Sequence, residues 1–257
     1  MKYLVETALL THGLRSVTQE MLAVAWPFSD KTLCWVEDGK TMQGSMEEYL
    51  PFREKSDTAI RIDCNMLDTA IEKKLSGALT ASGTMEVCRR LGIPLAVSCG
   101  IGGIGDVKGE ELCPDLPALA EIPTALLATA PKDMLDIPAT IAWLKEHGVH
   151  VAGENCTGYV FYSADVPLDE SLADYSSSAQ VAAAAKNGGL LLLQPIKERI
   201  QDDTILMCAI AAGKQAEAEG RYYHPAVNGE IDRLTDGYSS VLQLHSLIEN
   251  VRLAARL

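Results

Sequence analysis

Thr124-Ala-Leu-Leu-Ala-Thr-Ala-Pro-Lys-Asp-Met-Leu-Asp136 is an apolar run that stops at a proline and gives way to a helix start. Residues 124–130 read as a buried strand. Residues 136–147 read as an amphipathic helix, with Pro138 in its first turn and Ile137, Ile141 and Leu144 along one stripe. Gly148 ends that helix, and 149–153 reads as a second strand. The three together predict a βαβ unit, hence parallel strands in a sheet covered by helices. In such sheets ligands bind at the carboxyl ends of the strands, which is where Lys132 falls. A lysine there can form a Schiff base once its amine is neutral, a state that the preceding apolar run favours by desolvation. The plain alternative is a solvated loop lysine.

The pattern continues outward in both directions. Lys2 to Leu10 reads as a buried strand carrying one acid, Glu6, and Ser16 opens a short helix that Pro27 closes. Thr32 to Val36 and Thr41 to Gln43 flank Glu-Asp-Gly-Lys, a hairpin signal, and Ser45-Met-Glu-Glu48 is a capping box. Thr58 to Ile62 is a strand, Thr80 to Leu91 a helix ended by Gly92, and Pro94 to Ser98 the next strand, followed by the glycine-rich Cys99-Gly-Ile-Gly-Gly-Ile-Gly105. Leu190 to Leu193 reads as a buried strand, and helices are expected near 204–219, 225–235 and 240–256. These elements predict a single α/β domain over residues 1–257: a layered α/β/α arrangement with a mixed central sheet and a helical C-terminal tail.

The composition of the 257 residues, 47% hydrophobic and 22% charged, is that of a folding globular chain. A net charge of −13, with no Lys/Arg cluster, argues against nucleic-acid polymers and anionic lipid as partners. No apolar run is long enough to span a membrane, and Met1 to Glu6 lacks the features of a signal peptide, so a cytoplasmic protein is expected. The seven scattered cysteines form no zinc-type spacing and read as reduced, mostly buried thiols. Cys99 and Cys113 flank the glycine-rich loop and are runner-up nucleophiles.

Six segments, in order, carry a resemblance. Val5-Glu-Thr-Ala-Leu-Leu-Thr-His-Gly13 is similar to Glu-Ser-Thr-Ile-Ile-Ser-His-Gly, and Ser76-Gly-Ala-Leu-Thr-Ala-Ser-Gly-Thr-Met85 to Asn-Gly-Ala-Thr-Thr-Val-Ala-Ser-Thr-Met. Cys99-Gly-Ile-Gly-Gly103 resembles Gly-Gly-Ile-Gly-Gly, and Pro114-Asp-Leu116 resembles Ser-Ala-Asp-Leu. Ala130-Pro-Lys-Asp-Met-Leu-Asp136 resembles Gly-Ala-Lys-Ser-Ile-Leu-Asp, and Gln194-Pro-Ile196 stands for Asn-Pro-Ile. These are motifs of the pseudouridine-5′-phosphate glycosidase family, which includes the indigoidine-cluster glycosidases, and the resemblance runs nearly end to end.

The resemblance implies a glycosidase for a carbon–carbon bond, joining ribose C1′ to uracil C5. It implies that Lys132 attacks the anomeric carbon, that the ribose ring opens, and that imine chemistry releases the base. Glu6 matches the general acid/base, and an apolar setting raises a carboxyl pKa, keeping a proton available near neutral pH. Asp115 matches the acid that holds a divalent metal, usually manganese, largely through water; alone it reads equally as the N-cap of a helix starting at Leu116. Arg61 stands where the family has an active-site lysine, and Gln243 where it has a uracil-facing asparagine. Thr80, a helix start able to bind an anion or simply to cap, and Ser98 complete the substrate-binding set with Arg61, Asp63 and Gln243. A homotrimer binding a small nucleoside or nucleotide is implied as well.

Two departures bear on substrate. Gly103-Ile-Gly-Asp-Val-Lys-Gly109 replaces a Gly-Gly-Val-His-Arg-Gly pattern, and Arg61-Ile-Asp-Cys-Asn65 replaces Lys-Val-Ser-Arg-Arg. Cations are lost and a carboxylate gained, which disfavours a phosphate. The substrate is expected to be pseudouridine or its 5′-phosphate, with the phosphate dependence left open; if Asp63 accepts a hydrogen bond from a free 5′-hydroxyl, the substrate is pseudouridine or another unphosphorylated C-nucleoside. A non-catalytic sugar-binding relative and an aldolase-like Schiff-base lyase are the competing readings.

Overall fold

The structure, a computed structural model, describes residues 1–107 and 111–257; Lys108 and Gly109, in one of the two departing segments, lie outside the described residues. The chain opens with β1 (Tyr3–Val5), a π-helical turn (Leu9–Gly13), α1 (Gln19–Ala25), β2 (Leu33–Glu37), β3 (Lys40–Gly44) and α2 (Met46–Arg53). It continues through β4 (Ile60–Ile62), α3 (Leu67–Glu72), β5 (Gly77–Leu79), α4 (Ala81–Leu91), β6 (Leu95–Val97), α5 (Asp115–Glu121), β7 (Ala125–Ala128), α6 (Ile137–Glu146) and β8 (His150–Ala152). A small antiparallel pair, β9 (Asn155–Cys156) and β10 (Val166–Pro167), precedes α7 (Ser178–Lys186), β11 (Leu190–Leu193), α8 (Asp203–Ala218), α9 (Tyr223–Leu234) and α10 (Tyr238–Ala254).

Nine strands form one mixed sheet in the order β4-β5-β2-β1-β6-β7-β11-β8, with β3 paired to β2. Helices flank it and the last three make the expected helical tail. The hairpin forms where Asp38 and Gly39, both at positive φ, turn β2 into β3. Ser45 and Glu48 complete the capping box of α2, Thr80 caps α4 by accepting from Gly83, and Gly92 ends that helix in the left-handed conformation.

Three expectations are corrected. The first strand is Tyr3–Val5 alone, because residues 9–13 coil into the π-helical turn, closed by the Leu14 N–H on the Leu9 carbonyl. The first helix is capped by Thr18 rather than opened by Ser16, whose hydroxyl is committed to Asp232 on α9. The strands of the βαβ unit are parallel but not neighbours: β11 lies between β7 and β8 and pairs with both.

What places the cleft is a meeting of strand ends. β1, β6 and β7 are mutually parallel, and so are β4 and β5, but β5 runs antiparallel to β2 while β1 runs parallel to it. Val5 pairs with Leu33 and Ala78 with Trp35, so the carboxyl ends of β1 and β5 face each other along one edge of β2. Thr7 stitches the junction: its N–H donates to Leu79 O at 3.2 Å, its hydroxyl donates to Cys34 O at 2.7 Å and accepts from Leu79 N–H at 3.3 Å. Residues following five strands thereby converge on one place.

Candidate active site

The convergence encloses a cavity of about 190 Å³. Glu6 follows β1, Asp63 follows β4, Thr80 follows β5, Cys99 to Gly102 follow β6 and Lys132 follows β7; α9 and α10 add His224, Asn228 and Gln243. Of the residues singled out from sequence, Lys132, Glu6, Asp115, Arg61, Asp63, Thr80 and Gln243 all line this cavity. Ser98 is fully buried behind Glu6 and is not among the lining residues.

Glu6 is 5% exposed. Its Oε1 accepts from the Ser98 hydroxyl at 2.9 Å, the Cys99 thiol at 3.2 Å and, at 3.4 Å, the Cys99 N–H. Burial raises its pKa, the Ser98 and Cys99 donors pull it back, and the Asp115 carboxylate adds a smaller rise. The Asn250 amide, from α10, donates to Ser98 O at 2.8 Å and Thr129 Oγ1 at 3.2 Å, fixing the strand ends on which Ser98 and Lys132 stand.

Asp115, 7% exposed, does not cap its own helix. Its Oδ1 accepts from Ser82 N–H at 3.0 Å, at the start of α4, and its Oδ2 from Gly102 N–H at 2.9 Å. Gly102 is required by that approach, since a Cβ there would lie 2.0 Å from Cys113 Sγ and 3.3 Å from Asp115 Oδ2. The Cys113 thiol is pushed well up by burial and further by Asp115, while the positive charge of Lys132 opposes the rise.

Lys132 is half-buried and held through its backbone, its N–H donating to Ile101 O at 3.2 Å beside the Ile101–Pro131 bridge. The glycine-rich loop and the lysine loop are thus laced together, which leaves the amine facing the cavity that Glu6 and Asp115 also line.

At the rim, Asp63 Oδ1 accepts from the N–H groups of Asn65 and Met66, both at 2.9 Å, a turn that leads into α3. Oδ2 accepts from no protein donor among the described residues. Arg61 is exposed, and burial together with its nearby charge holds the His12 imidazole down at about 4. Gln243 is 6% exposed, its side-chain amide making no protein hydrogen bond among the described residues. Sequence reasoning did not single out Tyr159, His224 or Asn228. His224 and Asn228 stand at i and i+4 on α9, the one signal that two polar groups share a face. Tyr159 left none, because its place is fixed by contacts distant in sequence.

The family model for indigoidine synthase A like protein matches residues 30–257. The pseudouridine-5′-phosphate glycosidase of Thermus thermophilus is 27% identical over 267 residues, covering 98% of this chain and 94% of its own. That of Mesorhizobium japonicum is 30% identical over 214 residues, 77% and 70% of the two chains. Among solved structures, the prealnumycin C-glycosynthase AlnA in complex with ribulose 5-phosphate superposes with a TM-score of 0.79 at 24% identity, covering 99% of this chain and 89% of that one. An indigoidine synthase A-like protein from Thermotoga maritima gives 0.79 at 23% identity, over 98% and 90%. Sheet order, helical tail and this match over most of the chain agree: the protein belongs to the indigoidine synthase A-like family.

Proposed function

We propose that the protein is a C-glycosidase that breaks, or in reverse forms, the bond between ribose C1′ and uracil C5 of pseudouridine. The supporting observation is that Lys132, Glu6 and Asp115, brought by three separate elements, line one cavity. Similarity to relatives named pseudouridine-5′-phosphate glycosidase supports the same chemistry.

A carbon leaving group is poor, so departure needs an electron sink. The Lys132 amine forms an N–C1′ bond while C1′–O4′ breaks, the ring oxygen taking a proton from Glu6. Glu6, now ionised, takes a proton from the Lys132 nitrogen and passes it to C5 of the base, and the C1′–C5 bond breaks, its electrons going to the base while the nitrogen lone pair makes C1′ a protonated imine of Lys132. Water hydrolyses the imine, freeing ribose and the amine. Burial of Glu6 suits this, since it must carry a proton at the start.

A divalent cation, of manganese type, belongs at Asp115. Among the described residues no three His, Cys, Asp or Glu groups gather to hold a metal. Each Asp115 oxygen accepts one amide and retains a lone pair, which fits a hard cation held by one carboxylate and water rather than by a protein cage. When bound, such a cation supplies positive charge to substrate oxygens.

The substrate carries no 5′-phosphate: at the rim a carboxylate, Asp63, with a spare acceptor stands beside one exposed arginine, an arrangement that pairs with a hydroxyl better than with a dianion. Gln243 reads the base imide. The chain functions as a homotrimer in the cytoplasm. Among the described residues no helix is long and apolar enough to cross a membrane.

Release of uracil from pseudouridine, compared with its 5′-phosphate, tests the reading. The free nucleoside is expected to be the better substrate, and borohydride with ribose is expected to trap a reduced adduct on Lys132 by mass spectrometry. A strong preference for the phosphate refutes the substrate assignment, and an untrapped, fully active Lys132→Ala variant refutes the mechanism. Light scattering checks the trimer.

A further inference from the structure

Every protein donor that reaches Glu6 arrives at the same oxygen. The Cys99 thiol, the Cys99 N–H and the Ser98 hydroxyl, whose one proton Oε1 shares with Gly100 O at 3.0 Å, all point at Oε1, and none among the described residues reaches Oε2. The Tyr159 phenol is buried nearby, 3.5 Å from the Ser246 hydroxyl, which donates to Gln243 O at 2.9 Å. The Tyr159 ring is pressed on the backbone beside it: a Cβ on Gly100 would sit 3.3 Å from two of its ring carbons.

A protonated carboxyl has one carbonyl oxygen, which accepts, and one hydroxyl oxygen, which donates. Of the two ways to protonate Glu6, donors converging on Oε1 favour the one in which that atom is the carbonyl, and they favour the carboxylate as well. From this geometry we infer that Cys99, assisted by Ser98, assigns the tasks of the two Glu6 oxygens: Oε1 is kept as the acceptor and Oε2 carries the reactive proton toward the cavity. The role of Glu6 as the acid rests on the proposed C-glycosidase reading; the proton placement stands on the contacts alone. Cys99 is therefore a positioning residue and not a second nucleophile, its sulfur being turned to the carboxyl and its thiol pushed far up by burial and by Glu6.

The decisive measurement is infrared, on the wild-type protein and on Cys99→Ala, Cys99→Ser and Ser98→Ala. The protonated Glu6 carbonyl band is identified by its loss in Glu6→Gln. In the wild type the Cys99 S–H stretch is expected at the lowered wavenumber of a donating thiol. The Glu6 carbonyl band is expected to rise in Cys99→Ala, where Oε1 loses a donor, and to fall back in Cys99→Ser, where an O–H replaces the thiol. In uracil release, kcat is expected to fall about tenfold in Cys99→Ala with KM nearly unchanged, and most of the loss to be recovered in Cys99→Ser. A free-thiol frequency in the wild type overturns the inference even if no variant folds. An unmoved Glu6 band in Cys99→Ala, or equal kcat losses in the Ala and Ser variants, overturns it too. If the bands move as stated while the wild type releases no uracil, the oxygen assignment holds and the C-glycosidase reading falls.

Discussion

Glu6 and Asp133 are two buried carboxylates, and the protein furnishes them in opposite ways. Asp133 Oδ1 accepts from Tyr159 N–H at 2.7 Å and the Ser163 hydroxyl at 2.6 Å, and Oδ2 from the N–H groups of Val160 at 2.8 Å and Phe161 at 3.3 Å. Arg199 grips the same loop from its carbonyls, donating to Thr157, Gly158 and Phe161 at 3.1, 2.7 and 2.8 Å. Both Asp133 oxygens are thus doubly engaged, and a guanidinium is at hand. Glu6 has donors on one oxygen and no cation. The difference separates architecture from chemistry: a carboxylate whose acceptors are all filled holds a loop, and one left half-filled facing a cavity is available to react. The aspartate next to Lys132 is thus an anchor for the Tyr159 loop.

Substitutions can break this contrast. Lys132→Ala is expected to lower uracil release by at least about 10⁴-fold with little change in melting temperature. Glu6→Gln, nearly isosteric, is expected to lower kcat by about 10² to 10⁴-fold, again without loss of stability. Asp133→Ala is expected to do the reverse in kind, costing about 3–5 kcal/mol in denaturant unfolding because the Ser163 hydroxyl and the loop amides lose their acceptor and Arg199 loses a nearby counter-charge. A stable but inactive Asp133→Ala would show that the anchor acts in the chemistry after all.

A smaller effect sharpens the comparison. Burial raises the folded pKa of Glu6 above its unfolded value near 4.5, so the folded state binds this proton more tightly. The resulting stability is fully present below the unfolded pKa and is lost as pH rises through the folded one. Glu6→Gln is expected to remove that decline from a plot of unfolding free energy against pH. Asp133 is also raised by burial, against the pull of Ser163, the loop amides and Arg199, and its slope of the same sign is expected to survive in Glu6→Gln. An unchanged plot would show that Glu6 is ionised when folded.

Much of this was legible in the sequence wherever the signal is local. The Ser45–Glu48 box, the Thr80 and Gly92 caps, the Asp38-Gly39 turn and the three final helices follow from residues within a turn of one another. β5 and α3 are short and follow polar residues, and β9 and β10 pair only two residues each, so none has enough periodicity to be read. For the cavity, motif resemblance named seven lining residues because catalytic groups travel with their neighbours in sequence. It did not show that Ser98 stands behind Glu6, or that Asp115 accepts the amides of α4 and the glycine loop. Each of those depends on pairs separated by 13 to 92 positions, which no local pattern encodes.

The place of β11 between β7 and β8 carries a consequence for biosynthesis. Until residues 190–193 have left the ribosome, β7 and β8 each lack the partner that later fills the gap between them, and their facing edges carry unpaired N–H and C=O groups. A nascent chain in that interval presents the kind of open strand edge on which chaperones act.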